Sequence, residues 1–175
     1  MSSRTRHFEL TIWPHVRSAY NVARWLTRNT QDAEDVVQES LLKAYKSIDA
    51  FRGGDARVWI LSIVRNTALN LLQRRRADLP IDWNPLQPEP TDQTPNPESR
   101  LVNRARRDQL RDALKRLDPE FRDVLVLREL EDLSYKEIAA VLDIPQGTVM
   151  SRLSRARQRL LLELAPSQEV RHDLP

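Results

Sequence analysis

An all-α protein of two small helical domains joined by a proline-rich acidic linker is the fold this sequence predicts. Three observations lead there. Apolar residues recur at three- and four-residue steps through most of the chain, no segment alternates convincingly as a strand does, and residues 77–99 hold six prolines, Pro80, Pro85, Pro88, Pro90, Pro95 and Pro97. Proline removes a backbone donor and pushes the preceding residue out of the helical region, so neither a long helix nor a central strand can cross that stretch. The expected organisation is a front domain over 1–76, a linker over 77–99, a rear domain over 100–164 and a tail over 165–175.

In the front domain, Phe8, Ile12, Val16, Tyr20 and Ala23 predict a first helix. Ala33, Val36, Val37, Ser40, Leu41, Ala44, Tyr45 and Ile48 form the stripe of a second, with Asp32 placed to cap it. Arg52-Gly53-Gly54-Asp55 breaks the chain, and Trp59, Ile60, Ile63, Val64, Ala68, Leu71 and Leu72 predict the helix after it. Amphipathic helices without strands bury their stripes on one another, so a bundle of three or four helices is expected.

The rear domain should open with a helix over about 98–117. Asp118-Pro119-Glu120 then reads as a helix start, with a cap, a proline in the first turn and an acid complementing the dipole, continued by Phe121, Val124, Leu125 and Leu127. Ser134-Tyr135-Lys136-Glu137 has the spacing of a capping box. From Ser134 to Arg157 follow a short helix with small Ala139 inward, a turn around Asp143 to Gly147 and a second helix, which together have helix-turn-helix spacing. Ile138, Leu142, Ile144, Val149 and Leu153 supply the shared core. The second helix then presents Ser151, Arg152, Ser154, Arg155, Arg157 and Arg159 outward, a face suited to a major groove. A solvated basic helix is the competing reading, disfavoured by the agreement of cap, turn, small residue and basic face.

Charge and composition narrow the function classes. The net charge is only +3, but residues 1–76 carry 13 basic and 7 acidic side chains while 77–100 carry 1 and 5. A basic front favours a polyanionic partner, although a solvated surface would also be basic. The chain has no cysteine, and His7, His15 and His172 are scattered, so no thiolate metal site, disulfide, catalytic triad or cofactor is expected. With 3 glycines there is no phosphate loop, and an enzyme is not expected. No apolar run is long enough to span a membrane and the N-terminus lacks a signal-like core, which points to the cytoplasm.

The segment LSYKEIAAVLDIPQGTVMSRLSRARQRL resembles region 4 of extracytoplasmic-function sigma factors, of the sigma-70 family, and TRNTQDAEDVVQESLLKAYKSIDAFRGG resembles their region 2. The resemblance implies a sigma factor that binds the RNA polymerase core, through the clamp helices of its largest subunit and its flap region, and binds promoter DNA. For the clamp it implies Asp35, Gln38, Glu39 and Leu42, where an apolar side chain beside acids would anchor a partner helix. For the melted minus-ten strand it implies Arg52, Arg57, Trp59, Arg65 and Asn66, although Trp59 on a stripe with Ile60 and Ile63 also fits a core position. Arg74-Arg75-Arg76 would add phosphate contacts. For the minus-35 duplex it implies Thr148, Ser151, Arg152, Ser154, Arg155 and Arg157.

The same resemblance implies an anti-sigma partner, frequently membrane-anchored, and a linker that threads the polymerase, where its acidity would mimic nucleic acid. Two residues depart from the family pattern: Met150, where a basic residue is common, and Asp143, where glycine is frequent. Aspartate tolerates the left-handed conformation, so the turn should survive. A stand-alone helix-turn-helix regulator is the rival reading, separated from a sigma factor by whether the chain binds polymerase.

Overall fold

The computed structural model describes residues 3–77 and 99–165, with side chains described over 3–75 and 108–165. The described residues are helical, and no strand occurs among them. The linker's prolines, the tail over 166–175 and the side chain of Arg76 lie outside the described residues.

Four helices make the front domain: α1 (Ser3–Ile12), α2 (Val16–Thr27), α3 (Thr30–Ser47) and α4 (Ala56–Ala77). The single first helix expected from periodicity is divided, because Pro14 interrupts it and Trp13–His15 forms one 3-10 turn. The cap of α3 also differs from expectation. Asn29 occupies the N-cap and its side chain accepts from the Asp32 amide at 3.0 Å, while the Asp32 carboxylate, 3% exposed, points inward and is gripped by both terminal nitrogens of Arg75 on α4. A buried carboxylate needs such a partner, and forking an arginine onto it ties the start of α3 to the end of α4. Ile12, Ala19, Val22, Val36, Ala44, Ile48, Ile60, Leu61 and Val64 fill the space between the four helices.

Four more helices make the rear domain: α5 (Ser99–Arg116), α6 (Pro119–Leu125), α7 (Tyr135–Leu142) and α8 (Gln146–Leu164). A π-helical turn, Val126–Leu130, extends α6. Asp118 holds the N-cap position of α6 but makes no side-chain cap; its carboxylate is taken instead by Arg159 of α8, whose guanidinium also lies 4.4 Å from the Phe121 ring centre. The capping box of α7 forms as its spacing implies: Ser134 Oγ accepts from the Glu137 amide at 3.3 Å and Glu137 accepts from the Ser134 amide at 2.6 Å. Asp143 ends α7 at φ 54°, ψ 51°, the left-handed conformation the turn requires. Ile138, Val141, Leu142, Val149, Leu153 and Ala156 then bury the small core of the helix-turn-helix against Phe121, Val124 and Leu125.

The two domains pack on one another, α4 lying against α7 and α2 against the π-helical turn. Val22, Trp25 and Leu26 of the front meet Val126, Leu127, Val141 and Leu142 of the rear around a small apolar crevice. Polar bonds cross this seam. Arg28, which ends α2 in the left-handed conformation, donates to the Lys115 carbonyl at 2.7 Å, and Glu131 receives both Arg57 and Asn21.

Candidate functional site

Three surfaces gather the residues singled out in the sequence. The first lies on α3. Asp35, Gln38, Glu39 and Leu42 are all exposed on one side of this helix, opposite the buried Ala33, Val36, Val37, Ser40 and Ala44. Leu42 is 61% exposed, Glu39 pairs with Lys43 at 2.6 Å and Gln31 donates to Asp35 at 3.4 Å. A large apolar side chain ringed by acids and amides on a rigid helix has the build of an anchor for a partner helix.

The second surface surrounds the break between α3 and α4. Gly53 and Gly54 have φ of 95° and 102°, values that side chains rarely adopt, so the chain can turn sharply here. Asp55 accepts from the amides of Arg57 at 2.8 Å and Val58 at 3.2 Å, capping α4. Burial raises the Asp55 carboxyl, but those two amide bonds, hydrogen bonding to Glu137 and the charge of His15 leave it below its ordinary value. Phe51 and Trp59 stack with ring centres 4.9 Å apart and pack on the core, yet both also line an open groove with Arg52, Val58 and Ser62 of the front and Lys136 and Ala140 of the rear. Trp59 is thus partly core and partly groove wall.

Of the remaining minus-ten candidates, Arg52 and Asn66 are exposed whereas Arg57 and Arg65 are turned into the seam between domains. Arg57 is held by Glu131 at 2.6 Å, and Arg65 faces Asp123, which Arg28 and Arg152 also face. Desolvation pushes the Asp123 carboxyl up to about 6 although Arg65, Arg152 and Arg28 each pull it down. Arg75 is likewise not free for phosphate, being paired with Asp32.

The third surface is the outer face of α8. Thr148 is partly exposed, and Ser151, Ser154 and Arg155 are exposed, as is Met150 at 53%. Ser151 donates to the Thr148 carbonyl at 3.0 Å and Arg155 Nε reaches the Ser151 carbonyl at 3.4 Å, so these side chains lie along the helix with their outer atoms free. Arg152 pairs with Glu120 at 2.9 Å and Arg157 with Glu129 at 2.8 Å. The hydrogen bond to Glu129 holds the Arg157 guanidinium above its ordinary range. Acids of the same domain therefore position the flanking arginines, a set of pairings the sequence does not reveal because the partners stand 28 to 41 residues away in the cases of Glu129 and Asp118. Among the described residues no cluster of His, Cys, Asp or Glu is arranged to hold a metal ion, and no helix is long and apolar enough to cross a membrane.

Comparison with known proteins matches residues 12–77 to Sigma-70 region 2 and residues 107–160 to Sigma-70, region 4. The chain is 36% identical over 150 residues to the ECF RNA polymerase sigma factor SigE of Mycolicibacterium smegmatis, covering 83% of this chain but 57% of that protein's length. It is 35% identical over 161 residues to the ECF RNA polymerase sigma-E factor of Escherichia coli, covering 86% and 84%. Among solved structures, CnrH in complex with the cytosolic domain of CnrY is similar at a TM-score of 0.65 and 26% identity, covering 93% of this chain and 91% of that one. Sigma factor RpoE of Bartonella quintana, in complex with the anti-sigma factor NepR, shares the fold at a TM-score of 0.70 and 24% identity, covering 92% and 98%.

Proposed function

This chain belongs to the sigma-70 family, among its extracytoplasmic-function members, and from that premise we propose how its two domains divide the work of an alternative sigma factor directing promoter-specific transcription. The observation that carries the reading is the order of regions 2 and 4 on one chain, the second of them built as a helix-turn-helix with an open polar face. The chain acts as a transcription factor, and the chemistry of initiation resides in the polymerase it recruits.

The front domain clamps the core enzyme through Asp35, Gln38, Glu39 and Leu42, an assignment supported by their shared exposure on α3. It captures the melted minus-ten strand with Arg52, Arg57, Trp59, Arg65 and Asn66. The groove wall formed by Phe51 and Trp59 offers aromatic surface for an unstacked base, and the arginines offer charge for the backbone. The rear domain reads the minus-35 duplex with Thr148, Ser151, Ser154 and Arg155 toward base edges, and Arg152 and Arg157 toward phosphate. Residues 77–99, proline-rich in sequence, connect the two domains along the chain.

An anti-sigma protein is the expected regulator. Support comes from the two similar structures, one holding the sigma factor RpoE with the anti-sigma factor NepR and the other holding CnrH with the cytosolic domain of CnrY. The site of action is the cytoplasm, where polymerase works, with retention at the inner membrane when such a partner is anchored there.

Run-off transcription with a core polymerase and a promoter library tests this reading. The expected result is a set of start sites that require the protein and whose use Arg155→Ala lowers about ten-fold. Duplex binding without polymerase binding or protein-dependent transcripts would replace it with a stand-alone regulator.

A further inference from the structure

We infer that Glu131 latches the rear domain onto the front one and, in the free protein, keeps Arg57 from nucleic acid; the masking half rests on the minus-ten role proposed above for Arg57. Glu131 follows the π-helical turn after α6 and is 3% exposed. Both its carboxylate oxygens are bonded by the front domain: Oε2 by Arg57 Nη2 at 2.6 Å and Oε1 by Asn21 Nδ2 at 3.1 Å. The same Arg57 nitrogen also donates to the Glu131 backbone carbonyl at 2.6 Å. One residue of the rear domain thus occupies an arginine of α4 with both its side chain and its main chain.

The arrangement has the character of a latch and not of a permanent brace. Nε of Arg57 and Nε of Arg65 are both buried without a hydrogen-bond partner. Buried guanidinium groups that lack part of their bonding are costly, and each has an unmet donor that a phosphate or a base edge would satisfy. On the other side of the seam, a carboxylate that loses its arginine must be hydrated, so opening exposes Glu131 and frees Arg57 in the same step. The contact also holds α4 against α7, Arg65 facing Asp123, an apolar seam of Val22, Trp25 and Leu26 against Val126, Leu127, Val141 and Leu142, and Arg28 bonded to the Lys115 carbonyl. Polymerase binding that holds the domains apart would then release the arginine where melted DNA arrives.

The test uses the full chain, with scattering to measure its radius of gyration and a fluorescein-labelled pool of random short single-stranded DNA to measure binding. Glu131→Gln should enlarge the radius. If closure occupies about nine-tenths of the free protein, the variant should bind the pool about ten-fold more tightly than the parent. With saturating core polymerase, where the latch is already open, parent and variant should transcribe equally. Asn21→Ala, which alters an exposed residue with no assigned role in binding, should shift both readouts the same way but less, and decides the matter should Glu131→Gln fail to fold. Folded variants with unchanged radius would overturn the latch; an enlarged radius without a gain in binding would overturn the masking. Should the parent bind no single strand even within the polymerase complex, the minus-ten role would be lost, while the radius measurement would still decide the latch.

Discussion

The front and rear domains both carry arginines proposed to meet DNA, and Arg57 and Arg65 of the front are held in a different way from those of the rear. In the rear domain Arg152, Arg157 and Arg159 pair with Glu120, Glu129 and Asp118, acids of the same domain that accompany them wherever it goes. In the front domain Arg57 pairs with Glu131 and Arg65 faces Asp123, acids of the other domain. Pairing within a domain pre-sets an arginine's position and is present in every state of the molecule. Pairing across a seam makes an arginine's availability depend on where the other domain is, and a conformational equilibrium can act on it.

The most disruptive way to probe the comparison is through the two cores. Ile60 and Ile138 are both fully buried, one in each domain, and truncating either to alanine should cost about 2–5 kcal/mol. If the seam couples the domains, urea unfolding of either variant will shift a single shared transition, followed by circular dichroism. Separate transitions, only one of which moves, would show that the domains unfold independently and that closure is weak.

Next in size is the contrast between free and paired arginines on α8. Among the described residues Arg155 has no ion-pair partner and it is exposed, whereas Arg157 shares its charge with Glu129. Arg155→Ala should lower transcription from cognate promoters about ten-fold, in keeping with the ~1–3 kcal/mol of one base contact. Arg157→Ala should lower it only about two- to three-fold, since Glu129 already offsets its pull on phosphate. Equal losses would mean that the Glu129 pairing is broken on DNA.

Acidity sharpens the comparison more gently. Asp123, pushed up to about 6 by burial, binds its proton more tightly in the closed arrangement than it would when solvated at its ordinary 3.8. Its contribution to closure is therefore fully present below about pH 4 and is lost as pH rises through about 6. Asp55, held below its ordinary value, has the opposite sign: its contribution is present above about 3.8 and lost on further acidification, beneath most of the Asp123 window. Between pH 5 and 8 the radius of gyration of the free chain should grow, and Asp123→Asn should flatten that dependence.

The smallest effect concerns Met150, uncharged and exposed on α8, the helix proposed to face DNA. Met150→Lys should tighten duplex binding by a few fold for all sequences alike and steepen its salt dependence by about one unit of slope. A change confined to some promoters would show that Met150 meets base edges.

The comparison also shows what the sequence could and could not reveal. Helical stripes, the capping box at Ser134 and the left-handed Asp143 are local, set by residues within a few positions of one another, and they stand in the structure as read. Where local signals competed, they misled. Asp32 has the chemistry of a cap and sits beside a helix start, but Asn29 is better placed and Arg75, 43 residues away, claims the acid. Asp118 likewise gives up its capping role to Arg159. The pairing of Glu131 with Arg57 joins residues 74 positions apart across two domains, and nothing in periodicity or spacing marks a buried acid at the end of a π-helical turn as their junction. Surfaces were legible from residue type and face; which arginines are occupied, and by whom, depended on tertiary contact.

The central claim, that Arg57 and Arg65 of the minus-ten face are held in the domain seam of the free protein while the minus-35 face is open, is tested most directly by ultraviolet cross-linking of minus-ten single strands and minus-35 duplex to the full chain, with and without core polymerase. Single-strand cross-links mapping to residues 52–66 should be about ten-fold weaker in the free protein than when core polymerase is present, while duplex cross-links to 148–157 should form in both conditions. Single-strand cross-links of equal yield in the free protein would contradict it.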